Sequence, residues 1–197
     1  IEIDNIPIGV NHRPLIIAEM SGNHNQSLKR AMRIVEAAAE TGAQILKLQT
    51  YTADTIKLDI KEGDFFISDN KSLWKGQSLH ELYKMASMPW EWHEPIMQRA
   101  KELNMLCIST PFDESALALL EKIHCPFYKV SSFEMTDIPL IKQIIKTGKP
   151  LIISTGLASL KEIEITINIA KKYGAKDLII LYCVSSYPAK IKDFNLN

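Results

Sequence analysis

Short apolar runs alternate with longer amphipathic stretches along the whole chain. Leu15–Met20, Ile45–Thr50, Leu106–Thr110, Phe127–Ser132, Leu151–Thr155 and Leu178–Cys183 are rich in Ile, Leu and Val and bounded by turn residues. That pattern predicts strands buried on both faces, as in a parallel sheet. The stretches between them carry helical periodicity. Ser27–Thr41 puts Leu28, Met32, Val35 and Ala39 on one stripe and ends at Gly42, a C-cap candidate. Ser115–Ile123 follows Asp113, which can cap it. Asp137–Thr147 ends at Gly148 and Ser159–Tyr173 at Gly174. Trp90-Glu91-Trp92-His93 leads into a further helix through Met97, Ala100 and Leu103, with the tryptophans as packing residues.

Strand followed by helix, repeated, is an α/β fold. Two architectures accept it: a doubly wound open sheet and a (β/α)8 TIM barrel. Polar residues close nearly every strand: Glu19, Gln49, Thr110, Ser132, Ser154 and Ser185. A barrel brings all such ends to one mouth, whereas an open sheet brings together only those at its switch point, so the uniform polarity favours the barrel. A GxGxxG or GxxxxGK phosphate loop is absent from the sequence, which counts against nucleotide folds. The reading is six of the eight barrel units, with residues 1–197 as the front part of a longer protein. Ile1–Ile3 and Ile8–Val10, separated by Asp4-Asn5, are expected to pair as a hairpin ahead of the first barrel strand. The long insertion Tyr51–Ser78 holds Phe65, Phe66 and Trp74, so an ordered lid over the mouth is expected rather than a linker.

Composition narrows the function without naming it. The 23 basic and 23 acidic residues leave no electrostatic footprint for nucleic acid or an anionic membrane. No apolar run approaches the roughly 18 residues of a membrane span. Cys107, Cys125 and Cys183 form no closely spaced metal motif; they read as reduced structural thiols in a cytoplasmic protein.

The candidate chemistry sits inside the strands. In Ile45–Thr50, alternation puts Lys47 and Gln49 on the face opposite Leu46 and Leu48. An inward lysine is costly unless a negative charge meets it. Lys129 repeats the arrangement in Phe127–Ser132. Two such lysines at the carboxyl ends of parallel strands suggest a small, highly charged anion as ligand. Glu19 points inward if Ile17 does. Ser132 and Glu134 reach the mouth only if their strand ends near Ser131. Asn25 or Ser27 is the expected cap of the first long helix, and His93 and His124 are expected at the surface or in caps.

The segments Ile17–Asn25, Lys47–Thr50, Ser109–Phe112, Tyr128–Glu134 and Ser154–Gly156 resemble those of the sialic acid synthases, in order and in spacing. Leu79–Tyr83, Pro89–His93 and the Ser131 and Phe133 of Lys129–Glu134 are closer to the pseudaminic acid synthase branch. The resemblance implies a TIM barrel that condenses phosphoenolpyruvate with an N-acetylated amino sugar. The expected product is a nine-carbon acidic sugar, formed with cleavage of the C–O bond and release of phosphate. It implies that Lys47, Thr110, Lys129, Ser132 and Ser154 hold phosphoenolpyruvate, with Ser185 where N-acetylneuraminate synthases carry asparagine. Gln49, Glu134 and Tyr187 would face the sugar. Glu19 would lie near the reacting carbons as a proton handler or water-positioner, forming with Lys129 the catalytic pair. It further implies a divalent metal, manganese, whose ligands are expected beyond Asn197, and a domain-swapped homodimer.

The anion chemistry agrees with the residue types. Phosphoenolpyruvate carries about three negative charges, which two lysines and several hydroxyl and backbone donors can neutralise. A different 3-deoxy-sugar-acid synthase would call for more basic residues at the mouth to meet a phosphorylated sugar. A non-catalytic sugar- or anion-binding protein is the alternative if the native chain ends at residue 197. N-acetylneuraminate or legionaminate synthesis is the alternative within the family.

Overall fold

The structure is a computed structural model, and it describes residues 2–3, 6–186 and 189–195. The chain forms two compact units, Ile1–Pro126 and Phe127–Asn197.

The first unit opens with a hairpin of β1 (Glu2–Ile3) and β2 (Ile6–Pro7), paired antiparallel with Ile3 opposite Ile6. The hairpin was expected, but its second strand lies at Ile6–Pro7 rather than Ile8–Val10. Gly9 and Val10 belong to the turn that follows. Three parallel strands come next: β3 (Ile17–Glu19), β4 (Ile45–Thr50) and β5 (Leu106–Pro111). Helix α1 (Leu28–Glu40) links β3 to β4, capped by the Ser27 hydroxyl, which accepts from the Arg30 amide. Asn25 is not its cap; it closes the 3-10 turn Ser21–His24 in a left-handed conformation. The link from β4 to β5 contains α2 (Ala53–Ile56), α3 (Leu79–Ala86) and α4 (His93–Glu102). Both α2 and α3 start with capping boxes, at Thr52 and Ser78. After β5, Asp113 caps α5 (Glu114–Lys122) by accepting from the Ser115 and Ala116 amides.

The outer face of these strands packs against helices. Leu46, Leu48 and Cys107 are buried in one cluster with Ala31 and Val35 of α1 and Ile96 and Ala100 of α4. Alternation therefore directs Lys47, Gln49, Ile108 and Thr110 to the other face. Trp92 packs against this cluster and stands edge-on to His24, 5.7 Å between ring centres, as a packing residue should.

In the second unit β6 (Tyr128–Val130), β7 (Leu151–Ser154) and β8 (Leu178–Leu181) are parallel neighbours in chain order. Helices α6 (Ile138–Lys146) and α7 (Leu160–Lys172) connect them. Leu140, Ile141, Ile144 and Ile145 form the buried stripe of α6. The Thr166 hydroxyl of α7 donates to the Met135 carbonyl (3.0 Å), meeting the need of a buried polar group. The strands are shorter than their apolar runs. β6 stops at Val130, β7 at Ser154 and β8 at Leu181, so the hydroxyl-bearing residues after them lie outside the strands.

Candidate active site

Register brings the polar residues of the first unit into rows. Glu19 lies beside Lys47 across β3 and β4, and Gln49 beside Thr110 across β4 and β5. Parallel neighbours in register point the same way, so these four share the face opposite the helix-packed cluster. Lys47 is inward and buried, as alternation predicts. Within the chain its charge is met by Glu19: Lys47 Nζ forms an ion pair with Glu19 Oε2. The other carboxylate oxygen of Glu19 accepts from the Ser21 amide (3.0 Å). Glu19 keeps 41% of its side chain exposed, so the pair is anchored at the lysine end and open at the carboxylate end.

Thr110 is 1% exposed and its hydroxyl has no hydrogen-bond partner in the structure. A buried hydroxyl without a partner is unfavourable by about 1–3 kcal/mol, which makes this one a candidate for ligand contact. Gln49 is half-buried and its Oε1 accepts from the Ser21 hydroxyl at 3.3 Å.

His93 was expected at the surface or in a cap, and the structure places it in the interior, fully buried. Its Nε2 meets the Thr50 hydroxyl (2.8 Å), which in turn meets the Ser109 hydroxyl (2.7 Å). Its Nδ1 meets the Trp90 carbonyl (3.1 Å). Burial holds the imidazole below its ordinary pKa, against hydrogen bonds to the Trp90, Pro89 and Gln49 backbones that act the other way. Thr50 and Ser109 thus belong to the helix-facing side and leave their neighbours Gln49 and Thr110 facing inward. His124 is exposed with φ of 58°, the left-handed residue after α5, as expected of a capping position.

The insertion Tyr51–Ser78 is ordered through α2, the 3-10 turn Gly63–Phe65 and an isolated bridge between Phe66 and Ser78. It is tied to α3 by Asp54–His80 (2.8 Å) and Lys61–Glu81 (2.5 Å). Leu73 and Trp74 remain exposed.

In the second unit the candidates gather around Gly156. A Cβ at this glycine would strike the Ser185 hydroxyl and come within 3.1 Å of the Ser132 hydroxyl and 3.2 Å of Cys183 Cβ. Only glycine fits between two serines from different turns. Ser154 is buried and Lys129 half-buried, its Nζ reaching the Val130 carbonyl at 3.5 Å. Since β6 ends at Val130, Ser131 to Glu134 leave the strand, as their presence at its carboxyl end requires. Glu134 accepts the Ser131 hydroxyl. Tyr187 lies outside the described residues.

Cys183 reports on this environment, and sequence reasoning read it only as a structural thiol. Burial pushes its pKa up. Hydrogen bonds from the Ser154 hydroxyl and the Thr155 and Gly156 amides, with the nearby Lys129 charge, outweigh burial and bring the thiol below its ordinary range. Cys107, fully buried, is pushed well up by burial and by Cys125. Among the described residues no group of three or more His, Cys, Asp or Glu side chains is arranged to hold a metal ion.

The family model described as NeuB family matches residues 34–197. A pseudaminic acid synthase from Helicobacter pylori is 43% identical over 93% of this chain and 53% of its own length. An N,N'-diacetyllegionaminic acid synthase from Campylobacter jejuni is 34% identical over 93% of this chain and 55% of its own length. The chain therefore spans about half the length of the curated relatives it matches. Among solved structures, an N-acetylneuraminic acid synthetase from Leptospira borgpetersenii in complex with citrate superposes with a TM-score of 0.85 and 32% identity. The match covers 99% of this chain and 62% of that one.

Proposed function

Because the chain belongs to the NeuB family, we propose that the protein condenses phosphoenolpyruvate with an N-acetylated hexosamine to make a nine-carbon acidic sugar, pseudaminic acid in the first instance. The observation that carries the reading is the polar set at or just past the carboxyl ends of parallel strands. It comprises Glu19, Lys47, Gln49 and Thr110 in one unit and Lys129, Ser132 and Ser154 in the other. Identity of 43% to a pseudaminic acid synthase, against 34% to a legionaminic one, favours the pseudaminate product. Within this reading the fold is the leading part of a (β/α)8 barrel, the protein is cytoplasmic, and the working form is a homodimer. Among the described residues no helix is long and apolar enough to cross a membrane.

The residues divide the work by chemistry. Lys129 and the Ser154 and Ser132 hydroxyls bind phosphoenolpyruvate oxygens as charge-assisted donors. Lys47 adds its charge, held in place by Glu19, and Thr110 adds a hydroxyl that lacks a protein partner. Ser185 donates where N-acetylneuraminate synthases use an amide. Gln49 and Glu134 face the sugar. The methylene carbon of phosphoenolpyruvate attacks the aldehyde of the open-chain sugar, whose oxygen takes a proton. Water adds to the enol carbon, and the bond from that carbon to the phosphate oxygen breaks with release of inorganic phosphate. Glu19, held by Lys47 and the Ser21 amide, positions that water. Holding both reactants in line supplies the orientation part of the acceleration. The divalent metal that the resemblance implies is assigned to side chains outside the described residues.

The test uses the full-length protein and measures phosphate release from phosphoenolpyruvate with three acceptors. These are the diacetamido-trideoxy-altrose precursor of pseudaminic acid, the corresponding legionaminic precursor and N-acetylmannosamine. Turnover is expected to be fastest with the first and absent without a sugar. Lys129→Ala is expected to abolish turnover with the fold retained; undiminished turnover would sink the site assignment.

A further inference from the structure

The turn after β3 is held in an unfavourable backbone conformation. Ser21, Asn25 and Gln26 all have positive φ, at 49°, 47° and 54°. Residues with a Cβ avoid that region unless their surroundings impose it. The imposing contact comes from the end of α3. Gln26 Nε2 donates to the Met85 and Ser87 carbonyls (2.8 and 2.6 Å). The last carbonyls of a helix have no partner within it, and one side-chain amide takes two at this helix end. Carbonyls only accept, so the sense of the Gln26 amide is settled, with its NH2 toward the helix. The Gln26 backbone amide donates to Nδ1 of the buried His24 (3.2 Å), so the residue is held at both its backbone and its side chain. The turn also sits closely on the same helix end. A Cβ on Gly22 would come within 3.1 Å of Ala86 Cβ and 3.3 Å of its backbone.

This seat aims one backbone N–H. The Ser21 amide donates to Glu19 Oε1 (3.0 Å), while Lys47 engages Oε2. The carboxylate is therefore held at both oxygens, one by a side chain of β4 and one by the turn. A backbone amide is a donor and nothing else, and its direction is set by the turn that carries it. Resting on the proposed role of Glu19 in the synthase reaction, we propose that Gln26 is a positioning residue for Glu19. By tying the turn to α3 it keeps the Ser21 amide on the carboxylate, and so fixes the direction in which Glu19 faces the reacting water. Gln26 acts through the turn and not on the substrates. Because α3 is tied in its first half to the Tyr51–Ser78 insertion, through Asp54–His80 and Lys61–Glu81, one helix connects that insertion to the Glu19 carboxylate.

Two variants of the full-length protein separate this role from a structural one. Gln26→Gly removes the tie together with the Cβ that makes a φ of 54° unfavourable. Its melting temperature is therefore expected within about 4 °C of wild type. Its kcat should fall roughly tenfold or more, because a displaced group at the reacting centre loses orientation. KM for phosphoenolpyruvate should stay within about twofold. Gln26→Lys restores donors to the two carbonyls, at a helix end that favours a cation, and its kcat is expected within about threefold of wild type. A crystal structure of Gln26→Gly should show the Ser21 amide displaced from Glu19 Oε1. An unchanged kcat in Gln26→Gly, a loss carried by KM instead, a lysine variant no better than the glycine one, or a Ser21 amide still on Glu19 overturns the proposal. The synthase reading is judged separately on wild type. If wild type releases no phosphate with any hexosamine, that reading fails, and the kinetic part of the proposal with it; the place of the Ser21 amide in Gln26→Gly still decides whether Gln26 holds the turn.

Discussion

At the scale of single residues, the inward Lys47 was legible and its partner was not. Alternation alone placed Lys47 opposite Leu46 and Leu48. That Glu19 meets it depends on the register of β3 against β4, set by segments 28 residues apart, and no local pattern encodes that. Thr110 marks the reverse case. It was picked out as a strand-end hydroxyl, and the structure adds that it is buried and unpartnered. Replacing it by valine, nearly the same shape, removes an unsatisfied polar group. Thr110→Val in the full-length protein is therefore expected to melt no earlier than wild type, while KM for phosphoenolpyruvate rises about fivefold or more. A variant that loses stability and binds phosphoenolpyruvate unchanged would mean the hydroxyl serves the core instead.

At the scale of elements, strand interiors read well and strand ends less so. Ile45–Thr50 is a strand at the predicted bounds, because its apolar residues are buried on the helix side and its polar ones are held in register by both neighbours. The runs for β6, β7 and β8 were drawn too long because their trailing residues, still apolar or hydroxylated, leave the ladder to enter turns. The hairpin was displaced because its pairing rests on two residues per strand, too few for periodicity to locate. His93 was misplaced for a related reason: its partner Thr50 lies 43 residues away. Its burial has a consequence for pH. Both His93 and His24 are held by burial below the ordinary histidine value of 6.5. The unfolded chain then binds protons first as pH falls, so stability is full above about pH 6.5 and declines below it. Urea midpoints of the full-length protein are expected to be flat from about pH 7 to 8 and to fall between about pH 6.5 and 5. In His93→Gln the baseline should drop by about 1–3 kcal/mol, because the bond to Thr50 is disturbed, and the acid-side fall should shrink. An undiminished acid-side fall in the variant would remove His93 as its cause.

At the scale of the whole molecule, the sequence carried the repeat and the family resemblance further than it carried the site. Strand and helix alternation fixes the α/β class because each unit satisfies its own periodicity. A catalytic centre depends on side chains brought from distant units, and half the length of the matched relatives lies outside the residues compared. The metal is where this matters most. The described residues offer no cluster of His, Cys, Asp or Glu to hold an ion, and the strand-end set, Glu19 apart, consists of cations, an amide and hydroxyls that suit an anion. A metal that stabilises a fold does so through the elements that ligate it. Removing one that is ligated elsewhere should leave β4, β5, β6 and β7 as protected as before. In the full-length protein, chelation with EDTA is accordingly expected to abolish phosphate release, and added manganese to restore it. Amide hydrogen exchange in these four strands should not change between the two states. Loss of protection at Ile45–Thr50 or Leu151–Ser154 on chelation would place metal ligands among the residues described here and reverse the assignment.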